Sequence, residues 1–244
     1  MSTNFPEGNM FQGGKHKNLK TGLSFDVTTI CPLTRAGRPC AYCYVDHHRK
    51  LGDAHSKARS KYDRYDGFVL RMRQATVDQM NEVGGIRMFS FGDYFSEHRD
   101  DVERFLLDCD LRRLYAKTIT KQLKFVYRFH DNPKISTIHI SIDNLKGDIG
   151  RSPINHPTAK RVREKYRKVR VRAVVLSEED LQYFGSQSWV DILTLNHGNN
   201  GFHNFSAADR EKITERFPGR ICCAGHVCRS CEIMCGLGKN FCAA

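Results

Sequence analysis

The sequence predicts an α/β fold, a partial (β/α)6 barrel with a small cysteine-rich, metal-binding extension at its carboxyl end. Two observations predict it. Short runs rich in β-branched and aromatic residues alternate with segments of helical periodicity, the pattern of strand–helix–strand units around a parallel sheet. The ten cysteines fall mainly into two groups, one directly after the first strand run and one in the last 23 residues.

Residues 1–20 are expected as an amino-terminal arm, 21–205 as the core, and 206–244 as a helix followed by the cysteine-rich extension. Six strand runs are expected, at 22–29, 86–92, 113–120, 136–143, 168–176 and 190–196. Between the first two, Val69, Met72, Met80 and Val83 share one face of a helix covering most of 66–83, which Gly84-Gly85 stops. After the second, Val102, Phe105, Leu106 and Cys109 recur at i, i+3, i+4 and i+7 as a core-facing stripe, so Cys109 is expected as a packed hydrophobe and not a ligand. Ser177 with Asp180, and Ser206 with Asp209, have the spacing of helix N-caps; Pro218-Gly219 ends the last helix. With no clear seventh unit the barrel is expected to be incomplete, and the tail from Ile221 is too short to hold together without metal or docking.

A hydrophobic fraction of 40% and a charged fraction of 27% over 244 residues exclude wholesale disorder and fibrous repeats. No run approaches the roughly 20 apolar residues of a spanning helix, and the opening MSTNFPEGNMFQGGKHK lacks a signal peptide's apolar stretch. The expectation is a cytoplasmic protein without a membrane partner, whose thiols bind metal instead of pairing. Lys and Arg number 39 against 27 acids, a net charge of +12, which points to a polyanionic partner or an anionic ligand. The excess concentrates in KRVREKYRKVRVR (160–172), where only Glu164 opposes eight basic residues, and in HHRKLGDAHSKARSKYDR after Cys43. A solvated helix face accounts for such runs equally well.

Cys31, Cys40 and Cys43 follow the first strand, so their thiolates fall at its carboxyl end, where parallel α/β folds place their chemistry. Three thiolates hold three irons of a [4Fe-4S] cluster and leave the fourth iron open. With His47 added, the same loop offers a closed tetrahedral zinc site. In the second group Cys223, Cys228, Cys231 and Cys235 supply four thiolates, with Cys222 or Cys242 able to substitute for one of them. That set suits a second [4Fe-4S] cluster or zinc, with His226 as an alternative zinc ligand.

Cys40-Ala41-Tyr42-Cys43, closing a loop after the first strand, resembles the cluster loop of the radical S-adenosylmethionine (SAM) superfamily, which ends in Cys-x-aromatic-Cys. Eight residues separate Cys31 from Cys40, an expanded form similar to that of small, phage-encoded, cysteine-rich members. Phe89-Ser90-Phe91-Gly92-Asp93 stands in the place of the superfamily's glycine-rich stretch, which cradles the methionine amino group. The resemblance implies a SAM-binding cluster on Cys31, Cys40 and Cys43, and an auxiliary cluster on the carboxyl-terminal cysteines. It implies SAM contacts from Tyr42, Gly92 and Asp93, with Lys117, Ser141 and Asp143 for the carboxylate and ribose. Asn196, His197 and His203, after the sixth strand, line the substrate pocket by location. The activity so implied is reductive cleavage of SAM, with a one-electron reductant, to a 5′-deoxyadenosyl radical that takes hydrogen from a nucleotide, nucleic acid or peptide. The competing class is a non-catalytic, zinc-stabilised nucleic-acid-binding protein.

Overall fold

Alternation of side chains along each strand decides the layering. The computed structural model describes residues 24–25, 27, 31–35, 68–82, 84–89, 92–143, 154–196 and 203–223. Seven strands lie parallel and in chain order: β1 (Ser24–Phe25), β2 (Ile86–Met88), β3 (Ala116–Thr120), β4 (Ile135–Ile142), β5 (Val169–Val175), β6 (Ile192–Leu195) and β7 (Ile221–Cys223). Helices fill the connections: α1 (Pro32–Arg35), α2 (Phe68–Arg71) and α3 (Gln74–Glu82) before β2, then α4 (Arg99–Leu111), α5 (Leu123–Phe129), α6 (His156–Lys165), α7 (Glu178–Ser186) and α8 (Ala207–Arg216) in turn.

Register settles the two faces. Arg87 lies beside Lys117, Ile119 beside His139, His139 beside Arg170, and Ser141 beside Arg172, so these share one face. The opposite face carries Ile138, Ile140, Ile142, Val171 and Leu193, which form one buried cluster with Val102, Phe105, Phe125, Val162 and Phe184 of the helices. That cluster is the core, and its strand contribution is the apolar half of patterns such as ISTIHISI. The face away from it is polar yet buried: Arg87 is 7% exposed, Lys117 and His139 0%, and Arg172 5%.

All six expected strands are present, each within its expected run or one residue beyond it. The expected helix over 66–83 is instead two, α2 and α3, because the chain turns at Met72 and Arg73, where Met72 N donates to Val69 O and Val77 N to Arg73 O. Gly84 and Gly85 stop α3 at φ +82° and +104°; a Cβ on Gly85 would stand 2.1 Å from the Tyr115 carbonyl oxygen, so no other residue fits. The stripe on α4 is buried as expected, and burial pushes the Cys109 thiol well up, which makes it an inert hydrophobe. Ser177 and Ser206 accept from the N–H groups of Asp180 and Asp209, and at Ser206 the box is reciprocal.

Two differences change the organisation. Ile221–Cys223 adds a seventh strand beside β6, where six units were expected; three residues, two of them cysteines, carry no strand periodicity. The basic run 160–172 is divided between α6, a turn and β5. Arg163 pairs with Asp191 at 3.0 Å, Lys168 donates to Asn132 O at 2.6 Å, and Arg172 is buried with its Nε donating to Thr194 Oγ1. Only part of the run reaches solvent. Among the described residues no helix is long and apolar enough to cross a membrane.

Candidate functional site

Parallel strands in sequential order deliver their following loops to one end of the sheet, and the chemistry-bearing residues gather there. Cys31 immediately precedes α1, and its side chain is partly exposed. After β2 the chain leaves through Phe89, a buried residue held at φ +58°, which costs of order 1–3 kcal/mol and is anchored by the edge of Phe125 at 5.7 Å. Tyr94 fixes the same loop a few residues on, its ring packed edgewise on Phe125 and Phe129.

Between these anchors sits Asp93, 8% exposed. Its Oδ1 accepts from Tyr94 N at 2.7 Å and Thr120 Oγ1 at 2.5 Å, and its Oδ2 from Lys121 N at 2.8 Å. Burial raises its pKa from 3.8 to about 6, against those hydrogen bonds and the nearby Lys121 charge, which favour the ionised form. Lys121, one residue beyond β3, carries its ammonium onto the Asp143 carboxylate just past β4. His156, at the start of α6, brings Nε2 to 3.3 Å from the Asp143 carbonyl oxygen. Asp93, Lys121 and Asp143 thus form one connected polar group across the ends of three strands.

A pocket of about 330 Å³ opens beside this group, walled by Pro32 of α1, by Tyr94, Phe95 and Ser96, and by Gln122, Leu123 and Lys124. The segment that starts at Cys31 therefore faces the loops following β2 and β3.

The expected site residues divide clearly. Asp143 directly follows β4, whereas β2 ends at Met88, short of the expected 92, so Gly92 and Asp93 lie four and five residues into the loop after it. Lys117 and Ser141 lie within β3 and β4 on the polar face, Lys117 between Arg87 and Thr137, deeper than the end of the strand. Asn196 directly follows β6, and its Nδ2 donates to His203 O at 2.9 Å while Phe205 N donates back to Asn196 O. His203 is exposed, with Nε2 3.8 Å from Glu178. Tyr42, Cys40, Cys43, His197, Cys228, Cys231, Cys235 and Cys242 lie outside the described residues, as do the side chains of Cys222 and Cys223. Among the described residues no three His, Cys, Asp or Glu side chains gather as a metal site.

Sequence reasoning passed over Lys121, Thr120 and His156. Lys121 was findable, since it directly follows the strand run ending Thr118-Ile119-Thr120, and the residue after a parallel strand is where a functional side chain is expected. Comparison with models of known protein families finds no match, and comparison with curated proteins finds none.

Proposed function

We propose that the chain is a radical SAM enzyme on a partial (β/α) barrel, working in the cytoplasm with a one-electron reductant. The observation that carries this is the meeting at one end of the sheet of the segment beginning at Cys31 with the loops that hold a buried carboxylate at Asp93 and the Lys121–Asp143 pair, next to a pocket walled by Pro32, Tyr94 and Gln122. Sequential parallel strands, with helices packed on one face and a buried polar face opposite, support the barrel.

The residues fit the group that the loop implies. Soft thiolates of Cys31, Cys40 and Cys43 suit iron and would hold a [4Fe-4S] cluster by three corners. When bound, the cluster and SAM supply a one-electron cleavage of the sulfonium bond and hence a carbon radical able to take a hydrogen atom from substrate. Asp93, once ionised, pairs with the ammonium of the amino acid, and Gly92 lets the backbone approach it. Lys121 takes over at the strand end the carboxylate-binding part that sequence alone gave to Lys117, and Asp143 orients it. Tyr42 and Ser141 stay in the binding set with Lys117 as part of the polar wall, and Asn196, His197 and His203 border the substrate side. Cys223, Cys228, Cys231 and Cys235, with Cys222 or Cys242 as substitutes, would hold the auxiliary cluster or a zinc ion.

Anaerobically reconstituted protein with dithionite is expected to release 5′-deoxyadenosine from SAM, and the Cys40→Ala variant to release none. Full cleavage by that variant removes the assignment. Colourless protein with zinc and no acid-labile sulfide, after anaerobic purification, selects the zinc-stabilised binding protein instead.

A further inference from the structure

Away from the strand ends, α5 presents an exposed aromatic ring, and the turn after α6 places a partly buried one beside it. Tyr127 is 50% exposed and meets Tyr166 edge-on at 6.4 Å. Tyr166 in turn stacks on His130 at 4.1 Å and 28°, with Lys165 Nζ 5.2 Å above its ring. Lys124 shares a face of α5 with Tyr127, Arg161 and Lys165 share a face of α6, and Arg167 follows in the turn. Glu103 and Asp110 are engaged with Arg128 and Lys134, and among the described residues of α5, α6 and the turns that follow them the acids are Asp131 and Glu164.

A groove of about 1040 Å³ runs past Tyr127, Arg128 and Asn132 to Tyr94, Ser96 and Lys124. Glu103 and Asp131 also line this groove; Tyr94, Ser96 and Lys124 wall the pocket at Pro32 as well, so groove and pocket are continuous, and the strip joins them at Lys124 and Tyr127.

We infer that this strip is a track for single-stranded nucleic acid: unstacked bases lie on Tyr127 and on the Tyr166–His130 pair, and phosphates meet Lys124, Arg161, Lys165 and Arg167. Charge complementarity decides the occupant, because the chain carries +12 and the strip sets cations beside the exposed Tyr127 ring and the partly exposed Tyr166–His130 stack. A duplex hides its base faces, and a peptide lacks a regular row of negative charges. The strip binds whether or not the proposed chemistry is correct. Only the further statement that the strand enters the pocket as substrate rests on the radical SAM reading.

The test is fluorescence anisotropy of the full chain with a labelled oligothymidylate about 15 nucleotides long. Affinity is expected to fall with salt, at about −0.7 in log–log slope per phosphate contact, and so near −3 for four. Tyr127→Ala and Tyr166→Ala each weaken binding roughly 5- to 100-fold, while Tyr127→Phe retains it. The double variant Lys124→Gln with Arg167→Gln loses affinity and flattens the slope by about 1.4. Absent or salt-independent binding, unchanged affinity in both alanine variants, or tighter binding of the corresponding blunt duplex or of a polyglutamate peptide overturns the inference. Oligonucleotide binding without SAM cleavage sinks the radical reading alone; cleavage without such binding sinks this one alone.

Discussion

Replacing Asp93 by asparagine, and following stability across pH, tests the electrostatics on which the proposed site depends. Burial lifts this carboxyl from 3.8 to about 6 even though three hydrogen bonds favour its ionised form. A shift of about two units is worth about 3 kcal/mol, at about 1.4 kcal/mol per unit. The folded chain holds the proton more tightly than the unfolded chain, so the stabilising contribution is complete below pH 3.8 and is lost as pH rises through about 6. Asparagine titrates in neither state. The unfolding free energy of the wild type minus that of Asp93→Asn, from urea titrations between about pH 4 and 7.5, is therefore expected to fall by about 2.4 kcal/mol, the rest of the change lying below about pH 4. A difference that stays flat, or climbs with pH, refutes burial as the controlling influence. Under the proposed function the same titration would set ligand binding. An ammonium pairs with this carboxyl only after its proton leaves, so affinity for a cationic amine rises nearly tenfold per unit below about pH 6 and levels off above it.

Two further outcomes follow from buried ionic contacts. Lys121→Met strips the counter-charge from Asp143, which is 3% exposed, and is expected to cost about 3–5 kcal/mol in urea unfolding. The double variant Lys121→Met with Asp143→Leu recovers most of that loss, whereas a single-variant loss below about 1 kcal/mol would mean that solvent screens the pair. Arg220, just before β7, donates to the carbonyl oxygens of Phe184, Gly185, Gln187 and Val190 and so ties the end of α7 to the last strand. Arg220→Met leaves those acceptors short of donors and is expected to cost about 3 kcal/mol, read as a lowered thermal midpoint; an unshifted midpoint would show the clamp to be redundant.

Local signals made much of the scaffold legible. Ser206 and Asp209 announce a helix start because a hydroxyl and a carboxylate three residues apart satisfy two orphan N–H groups at once. The stripe through Cys109 is visible because helical periodicity outweighs the chemical suggestion of a lone thiol. Non-local pairing hid the rest. Ile221–Cys223 becomes a strand only because β6 lies beside it, and its cysteines draw attention to metal instead. The seven residues of α5 are too few to show a period, and with them went the placing of Lys121 and Tyr127. The resemblance pointed to Lys117 on the third strand, but strand position also decides depth: Lys117 precedes the end of β3, and Lys121 passes it. Likewise the run 160–172 has one composition and three fates, since a helix, a turn and a buried strand each expose different members of it.

The polar face of the sheet bears on what kind of α/β protein this is. In a doubly wound fold, strand order reverses and helices cover both faces, so central strands are apolar on each side. Here the order never reverses, and β2 to β5 alternate apolar residues with Arg87, Lys117, His139 and Arg172, all less than a tenth exposed. Burying charge costs several kcal/mol per group unless polar partners surround it, so a second helical layer is a poor match for that face. A lining of mutually facing polar side chains is a good one, because strands curving around a shared interior supply such partners to one another. The Asp93, Lys121 and Asp143 network joins the ends of β2, β3 and β4, as the proposed barrel would have it. Arg172→Leu separates the alternatives. Against a helical layer it would leave packing intact or improved, whereas in a polar interior it strands Thr194 Oγ1 without its Arg172 donor and weakens the pairing of β5 with β6.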